Sequence, residues 1–144
     1  MSEHLSRQRW MAVLARATAA ELEAGAAHLP PYVRLRGPEV GLVMVQGRAG
    51  GTGDAFNLGE ATVARCSVRT EAGAVGHAMC LGRDLRQAEL AAALDAALQD
   101  PGAAPAILAE VVEPLAAAQA ARRALDARRA AATQVQFFTL ATMR

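Results

Sequence analysis

Apolar residues first recur at helical spacing. Trp10, Val13, Leu14 and Ala17 share one side and predict a helix over about residues 2–17. Thr18-Ala19-Ala20-Glu21 has the form of a capping box, so a second short helix is expected to end near His28, before Pro30-Pro31 forbids continuation. The period then shortens. Residues 32–36 and 40–46 are rich in Val and Leu and are separated by Gly37-Pro38, which predicts two strands joined by a turn. Residues 60–70 alternate as a strand, with Val63, Arg65, Ser67 and Arg69 on one face and Ala64, Cys66, Val68 and Thr70 on the other. Glu71-Ala72-Gly73 then reads as a three-residue hairpin loop with Gly73 left-handed, followed by a return strand over residues 75–81.

Helical spacing returns at Arg83-Asp84, which opens a helix running to about Gln99 with Leu90, Leu94 and Leu98 in one stripe; Asp100-Pro101-Gly102 stops it. Further helix is predicted over residues 103–112, and Pro114 sits at a first-turn position leading into residues 115–132. Residues 135–140, carrying Phe137-Phe138, form a short β-prone segment. This order predicts an α+β fold: N-terminal helices, an antiparallel sheet of about four to five strands with a glycine-rich loop, then C-terminal helices and a short terminal β segment. Residues 1–144 are expected to form a single domain, with 103–133 a helical, partner-facing extension. Its last helix has only Leu115 and Leu125 as large apolar anchors.

Composition sharpens that picture. Hydrophobic residues make up 53% of the chain, but 36 of its residues are Ala, while Leu, Ile, Val and Phe together number 31. Burying a methyl contributes far less than burying a Leu or Phe side chain, worth roughly 1.5–3 kcal/mol, so part of the apolar surface is expected to be completed by another protein. A net charge of +1 argues against an electrostatic nucleic-acid binder, and no apolar run is long enough to cross a membrane. Charges among the first seven residues leave no room for a secretory h-region, so the expected location is the cytoplasm. All 15 basic residues are Arg; without lysine, Schiff-base catalysis and a Walker loop are both excluded.

The chemical candidates are few. Arg48, Gly50, Gly51, Thr52 and Gly53 lie in a glycine-rich run that could cradle an anion, although a tight connection between strands is the simpler reading, since the run has neither a Walker ending nor a dinucleotide-binding pattern. Cys66, Cys80 and His77 bring metal-binding groups to one hairpin, but their spacing repeats no structural zinc motif, and small buried thiols are the preferred reading. No metal site is expected. His4, His28 and His77 are scattered, and Ser67 lacks a nucleophile elbow. Asp84 and Glu89 read as capping or solvated charges, and Arg122-Arg123 with Arg128-Arg129 as a solvated or partner-facing helix surface. No catalytic residue emerges.

Taken together, the motifs resemble those of the PhnG family, the G subunit of the carbon-phosphorus lyase core complex. The resemblance rests on residues 7–15 (RQRWMAVLA), Gly41-Leu42-Val43 leading into residues 46–53 (QGRAGGTG), residues 59–62 (GEAT) with Arg65 and Val68-Arg69, Gly82-Arg83-Asp84 with Gln87-Ala88-Glu89 and Asp95-Ala96, and Phe137-Phe138-Thr139. It implies phosphonate catabolism: a chain acting with the H, I and L proteins to replace the adenine of ATP by methylphosphonate, within a core complex that also holds the J subunit. The I subunit would be the most intimate partner and the seat of glycosyl transfer, leaving this chain an assembly role with no cofactor of its own and ATP as substrate of the complex. Two other readings compete. One is a nucleotide- or phosphonate-binding protein using Arg48, the Gly50–Gly53 loop and Arg65 or Arg83; the other, ranked last, is a nucleic-acid-binding helix module.

Overall fold

The computed structural model describes the backbone of residues 2–135 and the side chains of residues 7–135. The helices α1 (Ser2–Leu14) and α2 (Ala19–Glu23) and a 3-10 turn (Ala26–His28) precede three strands, β1 (Tyr32–Arg48), β2 (Ala55–Thr70) and β3 (Val75–Leu81). After these come α3 (Leu85–Ala97), α4 (Ala104–Ile107), a π-helical turn (Leu108–Val112) and α5 (Glu113–Ala132). The π turn falls where Pro114, lacking an N–H, cannot donate to the Glu110 carbonyl.

Local signals form as the sequence predicts. The Thr18 hydroxyl accepts from the Glu21 N–H at 3.3 Å, while the Glu21 carboxylate accepts from the Thr18 N–H at 2.8 Å. Asp84 caps α3 by accepting the Gln87 N–H at 3.0 Å. Gly73 closes the β2–β3 loop at φ +90°, and that register puts Cys66 and Cys80 on one face, as preferred. Trp10, Val13, Leu14 and Ala17 are all buried, with Leu90, Leu94 and Leu98, in a core shared by α1, α3 and the segment from Ile107 to Leu115.

The sheet departs from expectation. Among the described residues it has three strands, ordered β1-β2-β3 and antiparallel throughout, rather than four to five. Residues 32–36 and 40–46 are one strand. Gly37-Pro38 does not turn the chain back but makes an irregularity between Arg36 and Glu39, across which pairing with β2 resumes. Gly37 sits there at φ +68°, where a Cβ would meet the Arg65 carbonyl oxygen at 2.7 Å. The glycine run is likewise not a long loop: Gly47 and Arg48 end β1, Ala49–Gly51 form a 3-10 turn, and β2 begins at Ala55. The segment 135–140 lies outside the described residues apart from Val135.

The layers are unequal. One face of the sheet packs on α3 through small residues, Ala64, Cys66 and Val68 against Ala88, Ala92, Ala93 and Ala96. Gly76 of β3 brings α3 closest, since a Cβ there would run into the Ala92 carbonyl oxygen and lie 2.8 Å from the Ala96 Cβ. The opposite face carries Arg65, Ser67, Arg69 and His77, and α3 does not pack on it.

Candidate functional site

The most densely bonded carboxylate is Asp95 of α3, fully buried. It accepts from Arg7 Nε at 3.1 Å and Nη2 at 2.8 Å, from Trp10 Nε1 at 2.9 Å, and from the His77 backbone N–H at 2.9 Å. Arg7 also donates to the Val75 carbonyl at 3.1 Å. One charge thus ties α1, α3 and β3 together. All its sites face protein donors, so it is a structural anchor and not a free base.

Glu89 corrects the reading of a solvated charge. It is 6% exposed, accepts a two-pronged pair from Arg34 Nε and Nη2, each at 2.9 Å, and accepts from the Tyr32 hydroxyl at 3.1 Å. Its position one turn into α3 points it at β1 instead of solvent. The Arg34 guanidinium, ahead of the opposing effect of burial, holds its carboxyl below the usual range. A depressed folded pKa stabilises above the unfolded value, about 4.3, and that stabilisation is lost as pH falls through the lower folded value. Glu89→Gln should therefore melt below the parent at neutral pH, with the gap closing under acid; thermal melts across pH 3–7 check this, and a gap constant with pH would refute the ion-pair account.

The two thiols behave as small hydrophobes. Burial pushes Cys80 up to about 11 and raises Cys66 as well, leaving little thiolate at neutral pH. His77 lies on the other face, its Nδ1 2.8 Å from Ser67 Oγ, so the Cys-Cys-His trio is not assembled. No cluster of metal-ligating groups occurs among the described residues. His28 pairs with Glu110 at 3.0 Å, and His4 lies outside the described side chains. Among the described residues no nucleophile stands beside an oriented base, since Ser67–His77 has none of their carboxylates behind the ring.

At the tip of the β1–β2 hairpin, Gly50 and Gly51 adopt φ of +60° and +83°. The Gly53 N–H donates to the Ala49 carbonyl at 2.8 Å, as does the Thr52 N–H, and Arg48 Nη1 donates to the Gly53 carbonyl at 3.1 Å. Arg48 and the glycines therefore do come together, but as partners of one another. Arg65 joins a different group at the base of the hairpin, and Arg83 stands apart, just before α3.

The hairpin extends well beyond its third strand. Among the described residues β3 pairs only with residues 63–69 of β2, so the far half of the hairpin, roughly 25 Å at about 3.3 Å per residue, has neither a third strand nor a helix of those residues against it. Not one of residues 31–62 is buried. Leu42 and Met44 lie exposed on one face, and Phe56 and Leu58 near the tip, with Leu58 67% exposed. A lone two-stranded ribbon is marginal in water, and large apolar side chains left exposed along it mark an interaction surface. Helix α5 adds a second such element, for every residue from Ala121 to Ala132 is exposed.

A family model described as "Phosphonate metabolism protein PhnG" matches residues 5–142, nearly the whole chain. This chain belongs to the PhnG family. Among its PhnG relatives is the alpha-D-ribose 1-methylphosphonate 5-triphosphate synthase subunit PhnG of Rhizobium meliloti (strain 1021), 46% identical over 137 residues that cover 93% of this chain and 87% of the relative. The motifs that carry the resemblance to PhnG take on physical roles in the structure. Arg7, Trp10 and Asp95 meet at one buried carboxylate, Asp84 is a cap, Gln87 donates to the Ala17 carbonyl at 2.6 Å, and Glu89 anchors β1. Sequence spacing alone missed the Asp95 and Glu89 centres. The signal was present in each case as an acidic residue inside an otherwise apolar helical stripe, a position where charge persists only when paired.

Proposed function

We propose that this chain is an assembly subunit of a ribose 1-methylphosphonate 5-triphosphate synthase, working in the cytoplasm with the H, I and L proteins in phosphonate catabolism and docking most closely on the I subunit within a core that includes J. The observation that carries this reading is the bare β1–β2 arm: a PhnG-family chain with no assembled catalytic group of its own among the described residues projects an apolar ribbon that none of the other described residues covers. On this reading residues 1–144 are one domain, 103–133 supply the partner-facing helix, and ATP is handled by the complex and not by a cofactor site here.

The test is co-expression of tagged chain with the other subunits. Leu42→Glu combined with Leu58→Glu should abolish co-elution while changing stability by less than about 1 kcal/mol, because both side chains are exposed in the isolated chain. Undiminished co-elution would overturn the docking role of the arm. Nucleotide binding at the tip by Arg48, Gly50, Gly51, Thr52 and Gly53 is the weaker proposal. The left-handed glycines favour it, but Arg48 and two of the backbone donors already close the turn.

A further inference from the structure

The face of the sheet turned away from α3 carries more positive charge than its described neighbours balance. Ser67 lies at its centre, paired with Arg36 on β1 and with His77 on β3. Its hydroxyl is 2.8 Å from the His77 ring. Two residues to either side on the same strand, hence on the same face, stand Arg65 and Arg69. Glu39 is the carboxylate of this group, and a single oxygen of it, Oε1, accepts Nε of Arg36 at 2.7 Å and Nε of Arg65 at 2.8 Å.

This sharing leaves the recognition geometry unfinished. Each of the two guanidiniums is held by Nε alone, and their terminal Nη groups have no partner among the described residues. Arg69 is exposed and has no hydrogen bond or ion pair among the described residues. Arg7, Arg9 and Arg34 show the closed form, each engaging a carboxylate through two nitrogens, whereas Arg86 and Arg122, like Arg36 and Arg65, engage theirs through one. Three guanidiniums against one carboxylate, beside a hydroxyl and an imidazole, match the forked recognition of phosphoryl oxygens.

Spacing selects the shape of the anion. Arg65 and Arg69 are four residues apart on one strand, roughly 13 Å at about 3.3 Å per residue. A single phosphate can reach one end of the row, whereas a linear polyphosphate spans it, with Ser67 and His77 beneath its middle. We infer that the face formed by Arg36, Arg65, Ser67, His77 and Arg69 is a binding site for a linear polyphosphate group. It is separate from the arm and from the glycine tip, and it gives this chain a ligand contact in addition to its docking role.

Calorimetric titration of the full chain with sodium tripolyphosphate and with orthophosphate tests the site. Tripolyphosphate should bind about tenfold or more tightly than orthophosphate. Arg69→Gln and Arg65→Gln should each weaken it by roughly fivefold or more, while Arg48→Ala at the tip and Arg123→Gln on α5 leave it within about twofold. No heat at millimolar tripolyphosphate would overturn the site, as would a loss confined to Arg48→Ala or an equal loss with Arg123→Gln, which would mean bulk charge. Arg65→Gln also frees Glu39, so Arg69→Gln, which breaks no internal pair, is the deciding variant if the first lowers the melting temperature. The titration reads the sheet face of the isolated chain and the co-elution assay reads the arm, so either proposal can fail without the other.

Discussion

Replacing Asp95 by Ala should destabilise the chain by about 3–5 kcal/mol, the range for removing one partner of a buried ion pair. The four donors that converge on this carboxylate come from α1 and from the β3 backbone, and only Arg7 Nη2 has a second acceptor, the Val75 carbonyl. The loss is therefore not one bond but a buried indole N–H, a buried amide and a guanidinium left partly stranded. Asp95→Asn should recover only part of it, because the amide nitrogen must face one of those donors. Urea unfolding checks both variants; a fall below about 1 kcal/mol for Asp95→Ala would mean that α1 is held by its apolar contacts alone. Since α1 contributes Trp10, Val13 and Leu14 to the main core, its release should also expose that core, and denaturant m-values should shift with it.

Gly76→Ala should be nearly as damaging, at about 3 kcal/mol, the upper end of the usual range for overpacking. The added methyl would run into the Ala92 carbonyl oxygen and sit 2.5 Å from the Ala96 nitrogen. Both are backbone atoms of α3, so no rotamer change can relieve the contact and the helix must lift off the sheet. Gly73→Ala, also a substitution at a β2–β3 glycine, offers a contrast: there a Cβ meets nothing within 4 Å, and the penalty comes from φ +90° alone. Comparison of the two by thermal melting separates steric approach from backbone conformation. Equal losses would refute the close-approach role of Gly76.

Those two sites also mark the limits of reading this chain by pattern. Caps and turns were legible because their partners lie within three or four residues: Thr18 with Glu21, Asp84 with Gln87, Thr70 with Ala74. The Asp95 and Glu89 centres join residues 18 to 88 positions apart, and no period in the sequence encodes such a meeting. Gly37-Pro38 carries a turn signal that is locally correct in its positive φ, yet continuous pairing with β2 on either side overrides it and makes one strand of two. Alanine is legible only as a total. Composition predicts few large core side chains but not where small ones matter: Ala88, Ala92, Ala93 and Ala96 are the buried surface against which β2 packs. They are small because the helix and sheet backbones run close together. The later alanines, from Ala121 to Ala132, are exposed and do nothing comparable within this chain.

The exposed arm has a consequence for how much of this protein a cell keeps. A copy not yet assembled displays Leu42, Met44, Phe56 and Leu58 on a ribbon whose far edges pair with none of the described residues, the type of surface that chaperones and proteases sort and that invites edge-to-edge pairing. Assembly would hide that signal. The supply of partner would then set the lifetime of this chain, and its abundance would follow theirs without any regulatory site being needed.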